Sequence, residues 1–361
     1  MALDRISITD FRNHAATALD GTARFNLLVG ANGAGKTNVL EALSLLAPGR
    51  GLRRAKLPEM ARSDGPGGFA IGAMLQPADG AEPVRLGTMV DPAQPTRRRV
   101  RVNGAEASAL GLSEWLSVRW LTPAMDGLFT DSAGARRRFL DRLVLAISPA
   151  HATLSNRYET ALRNRNRLLA DEAEPDPRWL DALEAQLAEH GAQLAANRRL
   201  LVERLNAALL AETDTPFPRP SLALEPVGPE EREALARALR DNRPTDRRAG
   251  RTLIGPHRVE LAVTLADKGV PAATASTGEQ KAMLIAIVLA HGAIAAKGRA
   301  GLLLMDEVAA HLDPDRRAAL FARLAANGEQ VWMTGTERAP FDAILAQAAV
   351  WDVSGGALQR I

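Results

Sequence analysis

The stretch "GANGAGKT", residues 30–37, follows the apolar run "FNLLV" (25–29) and leads into "NVLEALSLLAPG" (38–49). A strand, a glycine-rich turn and a helix in that order form the context in which G-x-x-x-x-G-K-[ST] acts as a phosphate-binding loop. Backbone N–H groups of Gly33 to Lys36 are expected to cradle phosphate oxygens at the positive end of the helix. Lys36 adds a point charge between the outer phosphates, and Thr37 offers a hydroxyl to Mg2+. The candidate nucleotide contacts are therefore Gly30, Ala31, Asn32, Gly33, Ala34, Gly35, Lys36, Thr37 and Asn38.

Such a loop needs an acidic partner, and "LLLMDE" (302–307) supplies one: an apolar strand ending in Asp306, followed at once by Glu307. Asp306 is placed to hold Mg2+ through its water shell, and Glu307 to orient or deprotonate an attacking water. "HLDPDRR" (311–317) follows. Upstream, "TASTGEQKAML" (274–284) offers a serine, a glycine N–H and a helix N-terminus, the parts that would bind a terminal phosphate from the opposite side. Its position about 25 residues before "LLLMDE" is that of an ABC-type ATPase signature. In such heads the signature completes the site of a second subunit, so that ATP is sandwiched in a dimer.

The rest of the chain fits a large head with an insertion. Its 361 residues exceed one ordinary core, and no cysteine is present for disulfides or thiolate metal sites. The charged, alternating start "MALDRISITD" and the lack of a long apolar run predict a soluble, cytoplasmic protein with no membrane partner. Net charge is +3 with a pI near 9.6. The lysines are Lys36, Lys56, Lys268, Lys281 and Lys297; the other 40 of the 45 basic residues are arginine. They cluster at Arg53/Arg54, Arg97 to Arg101, Arg136 to Arg138, Arg163/Arg165/Arg167, Arg198/Arg199 and Arg247/Arg248. Clusters sharing a face would make a footprint for nucleic acid. Against that, Arg136 to Arg138 could pair with Asp131 and Asp141. Methionines and tryptophans are scattered singly, as core filling.

Short alternating runs from 68 to 102, with Asn103-Gly104 as a turn, predict a small antiparallel sheet beside the phosphate loop. "HATLSNRYETALRNRNRLLA" (151–170) and a longer run from Pro177 read as an antiparallel helical hairpin joined by "DEAEPDP" (171–177). The expected division is an α/β ABC-type P-loop ATPase head of mixed sheet plus a small antiparallel subdomain, in three stretches. Residues 1–120 carry the Walker A loop, 121–251 form a short inserted helical lobe, and 252–361 carry the signature, Walker B and D-loop.

Five blocks resemble the RecF family of bacterial recombination mediators, relatives of the SMC heads. They are "ITDFRNH", the phosphate loop with its continuation to "GRGLR", "LTPAMDGLFTDSAGARRRFLD", "TLIGPHRVEL" and "STGEQK", in the family's order and spacing. The resemblance implies an ATP-dependent homodimer that binds DNA, including duplex and single/double-strand junctions at gaps. It also implies work with RecR and RecO to load RecA in gap repair and the SOS response, with weak, DNA-stimulated ATPase activity. Matched position by position, Lys36 and Thr37 are Walker A residues, Asp306 and Glu307 the Walker B pair, Ser276, Gly278 and Gln280 the signature, and Asp313 the D-loop. Arg12 and Asn13 match the N-terminal block near the nucleotide. His257 of "GPHR" belongs to a matched block without an assigned role.

Two departures from general ABC heads stand out. Leu121-Thr122-Pro123 replaces a Q-loop glutamine, and "TGTER" (334–338) stands where a switch histidine is expected. Both sensors of the terminal phosphate are altered, which predicts slow hydrolysis, a timed switch. The competing functions are the energy-coupling ATPase subunit of a membrane transporter and a non-hydrolysing nucleotide-dependent scaffold. The missing glutamine, the "DFRN" block and the arginine-bearing helix 134–146 weigh against the transporter. The scaffold differs only in whether Glu307 turns over ATP.

Overall fold

The protein is described by a computed structural model covering residues 2–77, 80–212, 215–295, 299–309 and 312–361, which leaves His311 and Lys297 outside the described residues. Contacts divide the chain into two compact units, Met1–Asp126 with Thr213–Phe217 and Leu284–Ile361, and Gly127–Glu212 with Pro218–Met283. The sequence division put the lobe at 121–251, whereas residues 252–283, with the signature start, pack with the helical unit.

The first unit holds a mixed sheet and an antiparallel one. The mixed sheet runs in the order β15-β14-β3-β13-β12-β8. Its strands are β3 (Phe25–Val29), β8 (Leu116–Leu121), β12 (Ala300–Met305), β13 (Gln330–Gly335), β14 (Ala348–Ser354) and β15 (Ala357–Arg360). All neighbours are parallel except the closing β14–β15 hairpin. β3, β8 and β13 are buried along their whole length, as expected of central parallel strands, and carry the buried polar residues Asn26, Arg119 and Thr334 among their apolar ones.

The antiparallel sheet runs β2-β1-β4-β5-β6-β7. It comprises β1 (Ala2–Phe11), β2 (His14–Asp20), β4 (Phe69–Gln76), β5 (Val84–Val90), β6 (Arg98–Val102) and β7 (Ala105–Ala107). Alternating burial in β4 and β5 marks one face on the core and one toward solvent. Asn103 and Gly104, both at positive φ, make the expected β6–β7 turn.

Helix α1 (Lys36–Ser44) leaves the phosphate loop, and its Val39, Leu40 and Leu43 join one buried cluster with Ile6 and Ile8 of β1 and Leu302 and Leu304 of β12. Short α2 (Leu57–Met60) follows in the same unit. The tryptophans are not all isolated: Trp332 of β13 and Trp351 of β14 stack with ring centroids 5.4 Å apart and planes at 14°.

The second unit is mainly helical: α3 (Ala133–Ile147), α4 (Ala150–Ala170), α5 (Pro177–Ala211), α6 (Arg232–Asp241) and α7 (Arg243–Ala249), with a sheet in the order β11-β10-β9. Those strands are β9 (Pro220–Glu225), β10 (Glu260–Leu265) and β11 (Val270–Pro271). Helix α8 (Thr277–Ala295) starts in this unit and ends in the first, where α9 (Pro314–Ala326) and α10 (Asp342–Leu345) complete the set. α4 and α5 form the predicted hairpin, with Tyr158, Ala161, Leu187 and Leu194 buried together. Among the described residues no helix is long and apolar enough to cross a membrane.

Several clustered arginines are engaged inside this unit. Arg165 is wholly buried and donates to Glu184 (3.0 Å), Asp246 (2.7 Å), Thr252 Oγ1 (2.8 Å) and Leu239 O (2.9 Å). Arg198 grips both Asp141 oxygens at 2.7 and 2.9 Å. The alternative that the Arg136 to Arg138 row pairs with acidic residues holds for Arg136, with a different main partner. It forms a two-pronged pair with Glu260 at 2.6 and 2.9 Å and donates to the Asp131 carbonyl, while Asp141 is taken by Arg198 and His151.

His257 also acquires a place. Its Nε2 lies 3.1 Å from Thr252 O and its Nδ1 2.8 Å from the Tyr158 hydroxyl. The carbonyl requires Nε2 to donate, so Nδ1 accepts from Tyr158 and the ring is neutral. Burial pushes His257 down to about 4 and holds Tyr158 protonated well above the usual tyrosine range.

Candidate nucleotide site

The phosphate loop leaves β3 between two neighbouring strands, which fix its first residue. Gly30 N–H donates to Gly335 O at 3.3 Å, and a Cβ on Gly30 would lie 2.2 Å from Val353 O. Gly33 and Gly35 take φ of 82° and 115°, a region open to glycine at little cost. A Cβ on Gly33 would meet nothing within 4 Å, while one on Gly35 would lie 2.6 Å from Asn13 Nδ2. The loop is thus open on one side and braced on the other.

The brace comes from the "DFRNH" block. Asn13 Nδ2 donates to Ala34 O at 3.0 Å, and its Oδ1 accepts from Asn38 Nδ2 at 2.7 Å. His14, fully buried, sets Nε2 3.1 Å from Gly35 O and Nδ1 2.8 Å from Gly356 O. Arg12 turns to the buried Glu41, which accepts from its Nε and Nη2 at 2.9 and 2.8 Å. Glu41 also takes Arg53 Nη1 at 3.1 Å, and the same Nη1 reaches Asn38 Oδ1 at 2.8 Å.

Asn38 and Arg53 reach a cavity of about 210 Å3, lined also by Asn32, Gly33, Gly35, Lys36, Thr37 and Glu307. That volume suits a phosphate chain better than a whole nucleotide, since small-molecule sites run to roughly 300–1,000 Å3. Lys36 Nζ donates to Gly30 O at 2.6 Å and Ala31 O at 3.0 Å, so two carbonyls hold this cation at the cavity. Arg53 and His14 were not singled out by their spacing, although both lie in stretches matched to the family. Arg53 lines the cavity, so its expected place in a nucleic-acid cluster is not its only surrounding.

The acidic pair arrives from β12, separated from β3 by β13. Asp306 N–H donates to Leu121 O at 2.9 Å, so the end of β8 in "LTP" anchors it. Its carboxylate accepts Thr37 Oγ1 at 2.9 and 3.1 Å, and Oδ1 accepts Thr334 Oγ1 at 2.8 Å. Walker A threonine and Walker B aspartate therefore touch directly. Glu307 has φ of 53°, a left-handed conformation costing a non-glycine residue about 1–2 kcal/mol, and its N–H donates to Thr334 Oγ1 at 2.8 Å. Among the described residues no group of His, Cys, Asp and Glu could hold a metal by itself. The Thr37 and Asp306 oxygens suit Mg2+, which takes one or two protein ligands and fills its shell with phosphate and water.

The signature lies in the second unit up to Met283, the loop in the first. Ser276 and Glu279 form a capping box: Ser276 N–H and hydroxyl donate to Glu279 Oε2 at 2.9 Å each, and Ser276 Oγ accepts Glu279 N–H at 3.3 Å. Lys268, with these Ser276 groups, pulls the Glu279 carboxyl down to about 2. A Cβ on Gly278 would meet nothing within 4 Å, leaving open approach at the helix start. Gln280 is buried and donates to Ala275 O at 2.9 Å. Asp313 caps α9, accepting Arg316 N–H at 2.9 Å.

The RecF/RecN/SMC N terminal domain family matches residues 2–347. The chain is 48% identical over 369 residues to the DNA replication and repair protein RecF of Mesorhizobium japonicum, covering 98% of this chain and 96% of that one. It is 46% identical over 374 residues to RecF of Brucella suis biovar 1, covering 100% and 97%. Among solved structures it is similar to the recombination mediator RecF of the RecFOR pathway with ATPrS (TM-score 0.86, 22% identity, 99% and 98% covered). The form with ATP gives TM-score 0.84 at 24% identity, with 99% of each chain covered. At those identities the structures speak for the fold, and the Smc head domain of Pyrococcus furiosus (TM-score 0.55, 16% identity, 100% and 96% covered) shares it more distantly. The full-length match to curated relatives, together with the family model over residues 2–347, places the protein in the RecF family.

Proposed function

We propose that the protein is an ATP-dependent DNA-binding protein of recombinational gap repair and the SOS response. The observation that carries this is one cavity lined by Lys36, Thr37 and Glu307, with Asp306 bonded to Thr37 behind it, in a chain whose relatives are DNA replication and repair proteins. Bound Mg2+ would neutralise phosphate charge, held by Thr37 and Asp306. Gly33, Gly35 and Lys36 bind and orient the phosphates from one side. Glu307 takes the proton of a water whose oxygen bonds the terminal phosphorus as the bridging P–O bond breaks, giving ADP and phosphate.

ATP drives dimerisation on DNA, with Ser276 and Gly278 of a second copy supplying the missing phosphate contacts. Slow, DNA-stimulated hydrolysis then resets the dimer, which works in the cytoplasm with RecR and RecO upstream of RecA. A turnover of many ATP per second without DNA contradicts the timed switch.

The test is anisotropy of gapped and duplex DNA over a salt series, with and without ATP. Log affinity is expected to fall with log salt at about 0.9 per neutralised phosphate on duplex, and only the ATP-loaded protein to bind tightly. Binding indifferent to both ATP and salt would overturn the reading. Lys36→Ala is expected to abolish the ATP effect.

A further inference from the structure

The motifs leave one buried hydroxyl unassigned at the centre of the site. Thr334, 1% exposed, is the next-to-last residue of β13, the strand lying between the phosphate-loop strand β3 and the acidic strand β12. A threonine hydroxyl has one proton to give and two lone pairs. Here the proton goes to Asp306 Oδ1 at 2.8 Å, and a lone pair accepts Glu307 N–H at 2.8 Å. The neighbouring Gly335 carbonyl accepts Gly30 N–H at 3.3 Å. Two consecutive residues of β13 therefore hold the first residue of the loop and both members of the acidic pair. Gly335 is fixed in turn, since a Cβ there would lie 2.6 Å from Phe341 Cε2.

Glu307 is the residue that needs such a hold. Its φ of 53° is unfavourable for a glutamate, and such a conformation persists only where surroundings over-determine it. The Thr334 hydroxyl supplies the fixed partner of that residue's own N–H. It stands in "TGTER", where general ABC heads are expected to carry a histidine.

We infer that Thr334 is a positioning residue for ATP hydrolysis, whose hydroxyl locks Glu307 in its left-handed backbone conformation and Asp306 in its rotamer, thereby aiming the Glu307 carboxylate. The inference rests on the ATPase reading above. It makes turnover depend on a group outside the cavity lining, and it makes the end of β13 the link between the loop and the acid pair.

The test compares Thr334→Val, which keeps the shape and removes the hydroxyl, with Thr334→Ser, which keeps the hydroxyl. ATP affinity is measured by equilibrium titration, kcat and KM by steady-state turnover, and the Glu307 amide by hydrogen exchange without nucleotide. The valine variant is expected to bind ATP as the wild type does, to lose about 100-fold in kcat at nearly unchanged KM, and to exchange the Glu307 amide faster. Serine is expected to restore kcat to within about threefold. Normal turnover in Thr334→Val, or equal damage in both variants, would overturn the inference while leaving ATP binding and the ATPase reading intact. If the valine variant does not fold, the wild type still decides: a Glu307 amide exchanging as fast as an exposed one refutes the lock. Failure of the wild type to bind ATP would instead overturn the parent reading.

Discussion

Lys36 and Glu307 are both restrained, the first through its side chain and the second through its backbone. Lys36 is satisfied by two carbonyls of its own loop, and Glu307 sits in a strained conformation at the cavity wall. Replacing Glu307 with Gln keeps the shape and removes the base, so ATP-bound dimers of Glu307→Gln are expected to outlive those of the wild type in a dissociation chase. An unchanged lifetime would remove Glu307 from the base role.

His257 makes a separate, pH-dependent prediction. Its proton affinity is depressed from an ordinary 6.5 to about 4 in the folded chain, so the unfolded chain binds the extra proton between those values. The contribution to stability is complete above pH 6.5 and is lost as pH falls toward 4. It amounts to on the order of 2 kcal/mol once partial exposure is discounted. Melting from pH 7 to 4.5 is expected to show a shallower acid loss for His257→Gln than for the wild type. At this scale the phosphate-loop and acidic residues were legible, because their chemistry is written in contiguous motifs. Thr334 and Arg53 were not, because what they touch depends on strand order and on a turn after α1 that no local pattern states.

Among the elements, the buried strands and the α4–α5 hairpin follow from apolar runs and helical periodicity. The arginine clusters show where reading by proximity stops. Of the cluster Arg163/Arg165/Arg167, Arg165 is fully buried between Glu184 and Asp246, whereas Arg163 and Arg167 are exposed. Arg165 joins α4 to α5 and α7, and Arg165→Met would leave the buried Asp246 carboxylate without its arginine, while Glu184 keeps Arg243. A loss of about 3–5 kcal/mol in chemical denaturation is expected.

The β6 strand differs. Arg101 is exposed opposite Gly87, and Arg99 half-buried opposite Met89, on the solvent side of the antiparallel sheet. Residues two apart on a strand are separated by about 6.8 Å, near the spacing of successive phosphates along a nucleic-acid strand. If both contact phosphate, the Arg99→Ala, Arg101→Ala variant should lower the slope of log affinity against log salt by about 2. An unchanged slope would place the DNA elsewhere.

For the whole molecule, the decisive expectation concerns two copies. Ser276→Arg puts bulk and charge at an exposed helix start in the second unit, outside the cavity that holds Lys36. Nucleotide binding by the monomer should survive while ATP-dependent dimerisation, read by light scattering, is lost. Equal loss of both would refute the sandwich. The head's architecture was legible from the order of its motifs. The placing of residues 252–283 with the helical unit was not, since the contacts that decide it are distant in sequence.

The stacked pair Trp332 and Trp351 has an optical consequence. The rings belong to β13 and β14, the two strands flanking β3, and Trp332 Nε1 is buried with no hydrogen-bond partner among the described residues. Two indoles this close couple through their strong far-ultraviolet transition, a circular dichroism contribution that fades when the strands part. Each variant at the end of β13 thus carries its own unlabelled gauge of strand spacing, readable before any nucleotide is added.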